Sequence, residues 1–244
     1  MKYFSLFLIL SSFAFAQIER VSDIDLIAID DVKTAYESGD FSEVRNQVVT
    51  LEESRAAGPR IDQARSLAAF ALLRERKTTE SLQAHLDIIT KYPESTEIAM
   101  AHFGVARTLT ELANTTNTLR DTNPQWIDAK NHYGEFLDRT FGSADRKTKS
   151  WRVYAYCTME MWKDAEREAQ EYIDTYDKTT DRMWPVVFYQ LITAKQHVVP
   201  PDYDGAVSLL TQFRADVEMI DWRHVDTKRM NAWAESEIEN LKGR

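Results

Sequence analysis

The sequence predicts an all-α fold built from consecutive helical hairpins. Two observations lead to this prediction. The stretch from Leu82 to Thr110 is typical of a helix, a tight turn and a second helix, and the apolar pattern of its first helix recurs along most of the chain. Because an amphipathic helix is stable only when its apolar face is covered, a series of such helices must pack side by side.

The joint in this stretch is encoded by a few residues. The first helix carries apolar residues at i, i+4 and i+7, namely Leu82, Leu86 and Ile89. Pro93 lacks a backbone N–H and disfavours helical geometry at Tyr92, so we expect the helix to end there. Ser95 offers a side-chain oxygen to the open N–H groups of a second helix starting near Thr96. Small residues let a neighbouring helix approach this second helix closely: Ala99, Ala101, Gly104 and Ala106.

The register of the first helix recurs in five helices. In each, a small or β-branched residue is followed four and seven residues later by apolar or aromatic positions. The five triplets are Val44, Val48 and Leu51; Ser81, His85 and Ile88; Ala129, Tyr133 and Phe136; Ala165, Ala169 and Tyr172; and Ala206, Leu210 and Phe213. Consecutive triplets begin 36 to 48 residues apart, against a period of about 34 in tetratricopeptide repeats, whose insertions fall in loops. We therefore predict a tetratricopeptide-repeat α-solenoid of about five helical hairpins. An ordinary helical bundle with coincidental spacing stays open as the alternative.

Turn and cap residues place the individual helices. Asp40, Asn123 and Asp202 are suited to begin helices as N-caps. Pro185 is tolerated in a first turn. A last helix with one apolar side is expected to cap the exposed end of the core. The predicted helices cover Ile29–Tyr36, a segment starting at Asp40, Ile61–Arg74, Thr79–Tyr92, Thr96–Leu112, Pro124–Phe141, Thr148–Met161, Lys163–Tyr176, a segment from about Asp181, a segment after Asp202, and Asp226–Leu241.

The first residues are typical of an export leader. Lys2 supplies a positive charge, an apolar run follows, and Ala14-Phe15-Ala16 forms a small-x-small cleavage site before Gln17. We therefore predict a signal peptide over residues 1–16, a lead-in segment over 17–28 and the solenoid over 29–244. Gln17 stands where a lipid anchor would need a cysteine, so we expect a periplasmic or secreted protein.

Charge and composition argue against some classes of function. The net charge of −9 argues against nucleic acid as the main partner, because nucleic-acid binding usually needs a basic patch. Cys157, the single cysteine, is expected to be a buried apolar side chain. The polar insert from Asn114 to Asn123 is expected to be a surface loop, and such loops often carry function.

One run of residues resembles a known family. The sequence IITKYPESTEIAMAHFGVA is similar to the FLxxYPxSxxAxxAxxxLGxA signature of bacterial envelope repeat proteins. These are the outer-membrane barrel-assembly lipoproteins of the BamD type and the Tol-Pal-associated periplasmic proteins of the YbgF type. The resemblance extends from Asp31 to Phe213 and implies a periplasmic protein–protein interaction scaffold in cell-envelope or outer-membrane protein assembly. Gln17 departs from the lipoprotein pattern.

We expect no enzyme, cofactor or metal site. The histidines form no HExxH motif, and no phosphate-binding glycine motif occurs. Glu160, Asp164 and Glu166 lie near Trp162, as paired carboxylates would in a glycoside hydrolase, but acidic residues at a helix start also stabilise the helix dipole. The alternative function is glycan or peptidoglycan binding or cleavage, which the six tryptophans motivate.

In tetratricopeptide repeats the first helices line a concave groove. The predicted register places a mixed aromatic and polar set there, which suits a bound peptide or helix. The expected groove residues are Phe70, Leu73, Arg74, Val105, Thr108, Trp151, Tyr154 and Thr158. The alternative is that half of them belong to the hairpin cores. The partner is expected to be a protein or peptide of the cell envelope.

Overall fold

The computed structural model describes residues 29–53, 59–116, 118–219 and 227–242. The predicted signal peptide and lead-in segment lie outside these residues. All regular structure in the described part is helical, which confirms the all-α prediction. Eleven α-helices occur there: α1 (29–38), α2 (Phe41–Glu53), α3 (Pro59–Arg74), α4 (Thr78–Lys91), α5 (Ile98–Asn114), α6 (Pro124–Arg139), α7 (Arg146–Thr158), α8 (Trp162–Thr175), α9 (Trp184–His197), α10 (Tyr203–Met219) and α11 (Thr227–Leu241).

The joint between α4 and α5 forms largely as predicted. The last α4 residue is Lys91, and the backbone N–H of Tyr92 still donates to Ile88 O. The Ser95 hydroxyl accepts from the backbone N–H of Glu97 at 3.1 Å. Helix α5 begins at Ile98, later than predicted, because the N–H of Ser95 donates to Tyr92 O and so adds a turn between the helices.

The three predicted N-caps are also present. Each side-chain oxygen accepts a backbone N–H two or three residues further on. The bonds join Glu43 N to Asp40 Oδ1 (3.1 Å), Gln125 N to Asn123 Oδ1 (2.9 Å) and Gly205 N to Asp202 Oδ1 (2.9 Å). Capping of this kind satisfies backbone donors that the first helical turn leaves open. The insert before α6 contains a short 3-10 helix, Arg120–Thr122.

Three helices end in the same Schellman turn. The first or second residue after the helix adopts a left-handed conformation, and two backbone N–H groups fold back onto the last turn. The left-handed residues are Gly39 after α1, Arg76 after α3 and Glu160 after α7. Their backbone bonds are Gly39 N to Tyr36 O and Asp40 N to Ala35 O, Arg76 N to Leu73 O and Lys77 N to Leu72 O, and Glu160 N to Cys157 O and Met161 N to Tyr156 O. The third turn ends α7 at Thr158, so the predicted extension to Met161 is wrong.

The predicted triplets all face the core. Every one of their fifteen side chains is buried, and none is more than 7% exposed. In each of the three hairpins with a Schellman turn, the triplet begins five residues after the left-handed residue. The same local geometry therefore leads into the same buried register three times.

Backbone contacts divide the chain into two compact units, one ending at Arg139 and the other starting at Thr140. In the N-terminal unit, α2 to α6 pack as consecutive neighbours, and α3 also contacts α5. In the C-terminal unit, consecutive helices from α7 to α11 pack together, and α7 also contacts α9. No helix among the described residues combines the length and apolar character needed to cross a membrane.

A buried histidine explains why Gly104, one of the small residues expected on α5, is a glycine. His85 on α4 is fully buried, and its ring centroid lies 4.6 Å from that of Phe70. A Cβ atom at Gly104 of α5 would lie 2.2 Å from His85 Cε1, so only glycine fits there. Neither ring nitrogen of His85 has a hydrogen-bond partner among the described residues. Burial lowers the pKa of His85 to about 3, so the ring is neutral at pH 7.

Candidate functional site

The predicted groove residues of the N-terminal unit divide between core and surface. Leu73, Val105 and Thr108 are buried and contribute to the hairpin core, so they cannot line an open surface. Phe70 is half-buried, and Arg74 is exposed. Three of these five residues are therefore buried, and two keep surface exposure.

The pKa of Tyr36 on α1 depends on two arginines, Arg74 on α3 and Arg107 on α5. Burial raises the pKa of Tyr36, and the positive charges of Arg74 and Arg107 oppose that shift. Arg107 also faces Glu111 at 3.7 Å, one turn along α5.

The predicted groove residues of the C-terminal unit share one side of α7. Trp151, Tyr154 and Thr158 are spaced at i, i+3 and i+7, and all three are half-buried. The Thr158 hydroxyl donates to Tyr154 O at 2.8 Å. These side chains therefore stay accessible at the surface while their inner parts pack, which is typical of residues that can contact a partner.

Helix α9 extends this side with two residues that sequence reasoning missed. Val186 is 47% exposed and Tyr189 is 52% exposed, and the Tyr189 ring lies 5.2 Å from that of Trp233 on α11. The core-facing residues of α7 and α9 meet, as the hydrogen bond from Cys157 Sγ to Gln190 O shows. Helical spacing then puts the exposed residues of both helices on the side away from α8. We call this surface the aromatic face: Trp151, Tyr154, Thr158, Val186 and Tyr189.

The ionisable groups that could suggest catalysis are engaged in structural contacts. Asp164 pairs with Arg167 at 2.8 Å, and Glu166 pairs with Lys195 at 2.9 Å. Burial raises the pKa of Cys157 to about 12, so this thiol is not a nucleophile at neutral pH. Within the described residues, no group of three or more histidine, cysteine, aspartate or glutamate side chains could hold a metal ion.

Two histidines that are distant in sequence do meet. The Nδ1 atoms of His102 on α5 and His132 on α6 lie 2.9 Å apart, so one ring donates a hydrogen bond to the other. Burial, and then the charge of His132, lowers the pKa of His102 to about 4. Burial also lowers the pKa of His132, against the opposing charges of Asp128 and Glu135. Both rings are therefore neutral at pH 7.

A scan against protein-family models and a search of curated proteins find no match.

The sequence contained a signal for the missed part of the aromatic face. The α9 segment WPVVFYQLI holds more apolar residues than one helix side can bury. Trp184, Val187, Phe188 and Leu191 fill the core. Ile192 is buried as well, whereas Val186 and Tyr189 are exposed beside the half-buried side chains of α7, which makes them candidates for contact with a partner.

Proposed function

We propose that this chain is an exported tetratricopeptide-repeat scaffold that binds a protein or peptide partner of the cell envelope through its first helices. The proposal joins three expectations: the repeat register, the export leader and the resemblance to envelope repeat proteins. It assigns no catalytic activity. The partner is recognised by surface chemistry rather than by a reactive pocket.

The recurring hairpin geometry is the observation that carries the repeat assignment. Three Schellman turns, each five residues before a buried triplet, support the same structural unit at Gly39, Arg76 and Glu160. Contacts between next-but-one helices, α3 with α5 and α7 with α9, support a stacked arrangement within each unit. In such a stack each hairpin buries its neighbour's face, and the first helices share one surface.

The aromatic face supports partner binding. Aromatic residues are enriched in protein–protein interfaces because they bury a large area with few rotatable bonds, while a tyrosine hydroxyl can keep a polar contact. Tyr189 and Val186 are exposed, whereas Trp151 and Tyr154 are half-buried and already positioned. A peptide or an amphipathic helix is the ligand that suits such a surface.

Polar substitution of α9 should remove partner binding. We expect the double variant Val186→Gln and Tyr189→Gln to retain at most about one tenth of the partner that wild-type protein captures from an envelope extract, since loss of interface anchors costs about 1–2 kcal/mol each. Capture followed by quantitative mass spectrometry measures this. The helical circular dichroism spectrum of the variant should stay unchanged, because both side chains are exposed.

A matched control uses exposed apolar residues elsewhere. Val49 on α2 is 52% exposed and Leu119 in the insert is 78% exposed. The double variant Val49→Gln and Leu119→Gln should capture as much partner as wild type. If it loses the partner and the α9 variant keeps it, the insert or the second helices make the contact. Retention of glycan alone, with no protein, would favour the alternative of glycan or peptidoglycan binding and overturn the proposal.

Export has its own test. Cell fractionation should recover the mature protein outside the cytoplasm, and mass spectrometry of the intact chain should show Gln17 at its N-terminus. Replacing Ala14 and Ala16 with bulky residues should block processing, because the cleavage site needs small side chains. Cytoplasmic protein with Met1 to Ala16 intact would contradict this part of the proposal.

A further inference from the structure

The C-terminal unit contains a cleft where the end of α8 and the loop after it meet α10. Its volume is about 360 Å³, near the lower end of the range for ligand pockets, about 300–1,000 Å³. A cleft of this size holds one or two side chains rather than a whole peptide. We call it the α8–α10 cleft, and its residues lie outside the aromatic face.

The cleft has an apolar floor. Trp184, Phe188 and Phe213 line it, and their rings stack with centroids 4.9 to 6.3 Å apart. Each of these three residues is at most 5% exposed, so the floor is rigid and set by the core. Ile173 and Leu209, both partly buried, add aliphatic surface to the walls. An aliphatic chain entering the cleft would lose part of its contact with water.

The lining also includes three carboxylates and one ammonium group. The carboxylates belong to Asp174, Asp177 and Asp216, and the ammonium belongs to Lys178. Hydrogen bonds from the Thr179 backbone and hydroxyl lower the pKa of Asp177, so this carboxylate is ionised at neutral pH. Asp174 accepts a bond from Gln170 at 2.9 Å, which holds it in place. The cleft therefore carries a net negative charge.

The chain's own lysine already pairs with one carboxylate of the lining. The Lys178 ammonium binds Asp216, and its side chain is 32% exposed. A long cationic side chain can place its methylene groups on apolar surface while its charged head reaches carboxylates. Arginine does this with a planar guanidinium group, which stacks on aromatic rings and can form two parallel hydrogen bonds with a carboxylate.

We propose that the α8–α10 cleft binds an arginine side chain of a partner protein. The side chain's methylene groups lie along the aromatic floor, and its guanidinium group bonds Asp174 and Asp177. Charge complementarity selects a basic segment, and the acidic balance of the whole chain favours the approach of such a segment. The site does not depend on the aromatic face, so one can fail while the other holds.

Peptide titration tests the proposal directly. The probe is a Ser-Leu-Arg-Leu-Ser peptide with blocked ends, and its partner replaces arginine by the neutral isostere citrulline. We expect the arginine peptide to bind the full mature chain at about 150 mM salt with a dissociation constant below about 1 mM, and the citrulline peptide to bind at least about tenfold more weakly. Nuclear magnetic resonance titration measures both, with the Trp184 indole N–H as a local reporter.

Variants distinguish a site from general charge attraction. Asp174→Asn with Asp177→Asn should weaken the arginine peptide at least about tenfold. The control, Asp204→Asn with Glu239→Gln, removes the same charge from exposed positions of the unit and should change binding less than about twofold. The proposal is overturned if both double variants weaken binding equally, or if the citrulline peptide binds as tightly as the arginine peptide. It is also overturned if the arginine peptide shows no binding at concentrations up to about 1 mM.

Discussion

Lowering the pH from 7 to 5 should destabilise the N-terminal unit, by about 2 kcal/mol through His85 and by a smaller amount through His102. Both rings are buried, and the pKa falls to about 3 for His85 and to about 4 for His102. In the unfolded chain a histidine titrates near 6.5. The unfolded state therefore binds protons first as the pH falls, so stability is full above about pH 6.5 and is lost progressively below it.

The loss should level off only near the folded pKa values, because below them the folded state binds protons too. His132 adds to the effect in the same direction, since burial lowers its pKa as well. Aspartates with lowered pKa values, such as Asp87 and Asp202, act at lower pH, where unfolded carboxylates begin to bind protons. Measurements between pH 7 and pH 5 thus report mainly on the histidines.

Urea unfolding of wild type and His85→Leu measures this. At pH 7 the free energy of unfolding of the variant should lie within about 1.5 kcal/mol of the wild-type value. Leucine is similar in volume to histidine, and no hydrogen bond of the ring is lost. From pH 7 to pH 5 it should lose about 2 kcal/mol less than wild type. If the unfolding free energy of His85→Leu fell with pH as steeply as that of wild type, the buried neutral ring would be contradicted.

Local sequence signals predicted the fold well where one short-range rule decides the outcome. Asp40 and Asn123 cap helices because their side-chain oxygens reach backbone donors within three residues. The buried triplets follow from helical periodicity alone. The end of α7 was predicted wrongly because Glu160, rather than glycine, takes the left-handed position, and no glycine marks that turn in the sequence.

The candidate site was predicted less well because it depends on which neighbours a helix has. Helix α5 packs against α3, α4 and α6, so little of its circumference is left exposed. Val105 and Thr108 are buried for this reason. The pairs His102–His132 and Lys178–Asp216 join residues 30 and 38 positions apart. No periodic pattern encodes such pairs, because they form only when packed helices bring the two side chains together.

Removing the negative charge of Glu168 should destabilise the C-terminal unit by about 3 kcal/mol. Arg152 is 3% exposed, and its Nε donates to Glu168 Oε2 at 2.9 Å while Nη2 donates to Oε1. Further bonds from the guanidinium go to Thr140 Oγ1 and the Tyr156 hydroxyl. In Glu168→Gln this arginine stays buried and charged but loses its paired carboxylate, which is why the cost exceeds that of a surface pair.

Three unfolding curves in urea separate the buried charge from the loss of a contact. Glu239→Gln makes the same chemical change in an exposed pair, since the side chains of Glu239 and Lys242 are 68% and 58% exposed. This variant should lose less than about 0.5 kcal/mol of stability. Arg152→Met with Glu168→Leu removes both charges together and should recover most of the stability lost in Glu168→Gln, because apolar side chains of similar volume need no charged partner. If the double variant were less stable than Glu168→Gln, Arg152 would stabilise the unit mainly through its bonds to Thr140 and Tyr156. The ion pair would then not be the dominant interaction between α7 and α8.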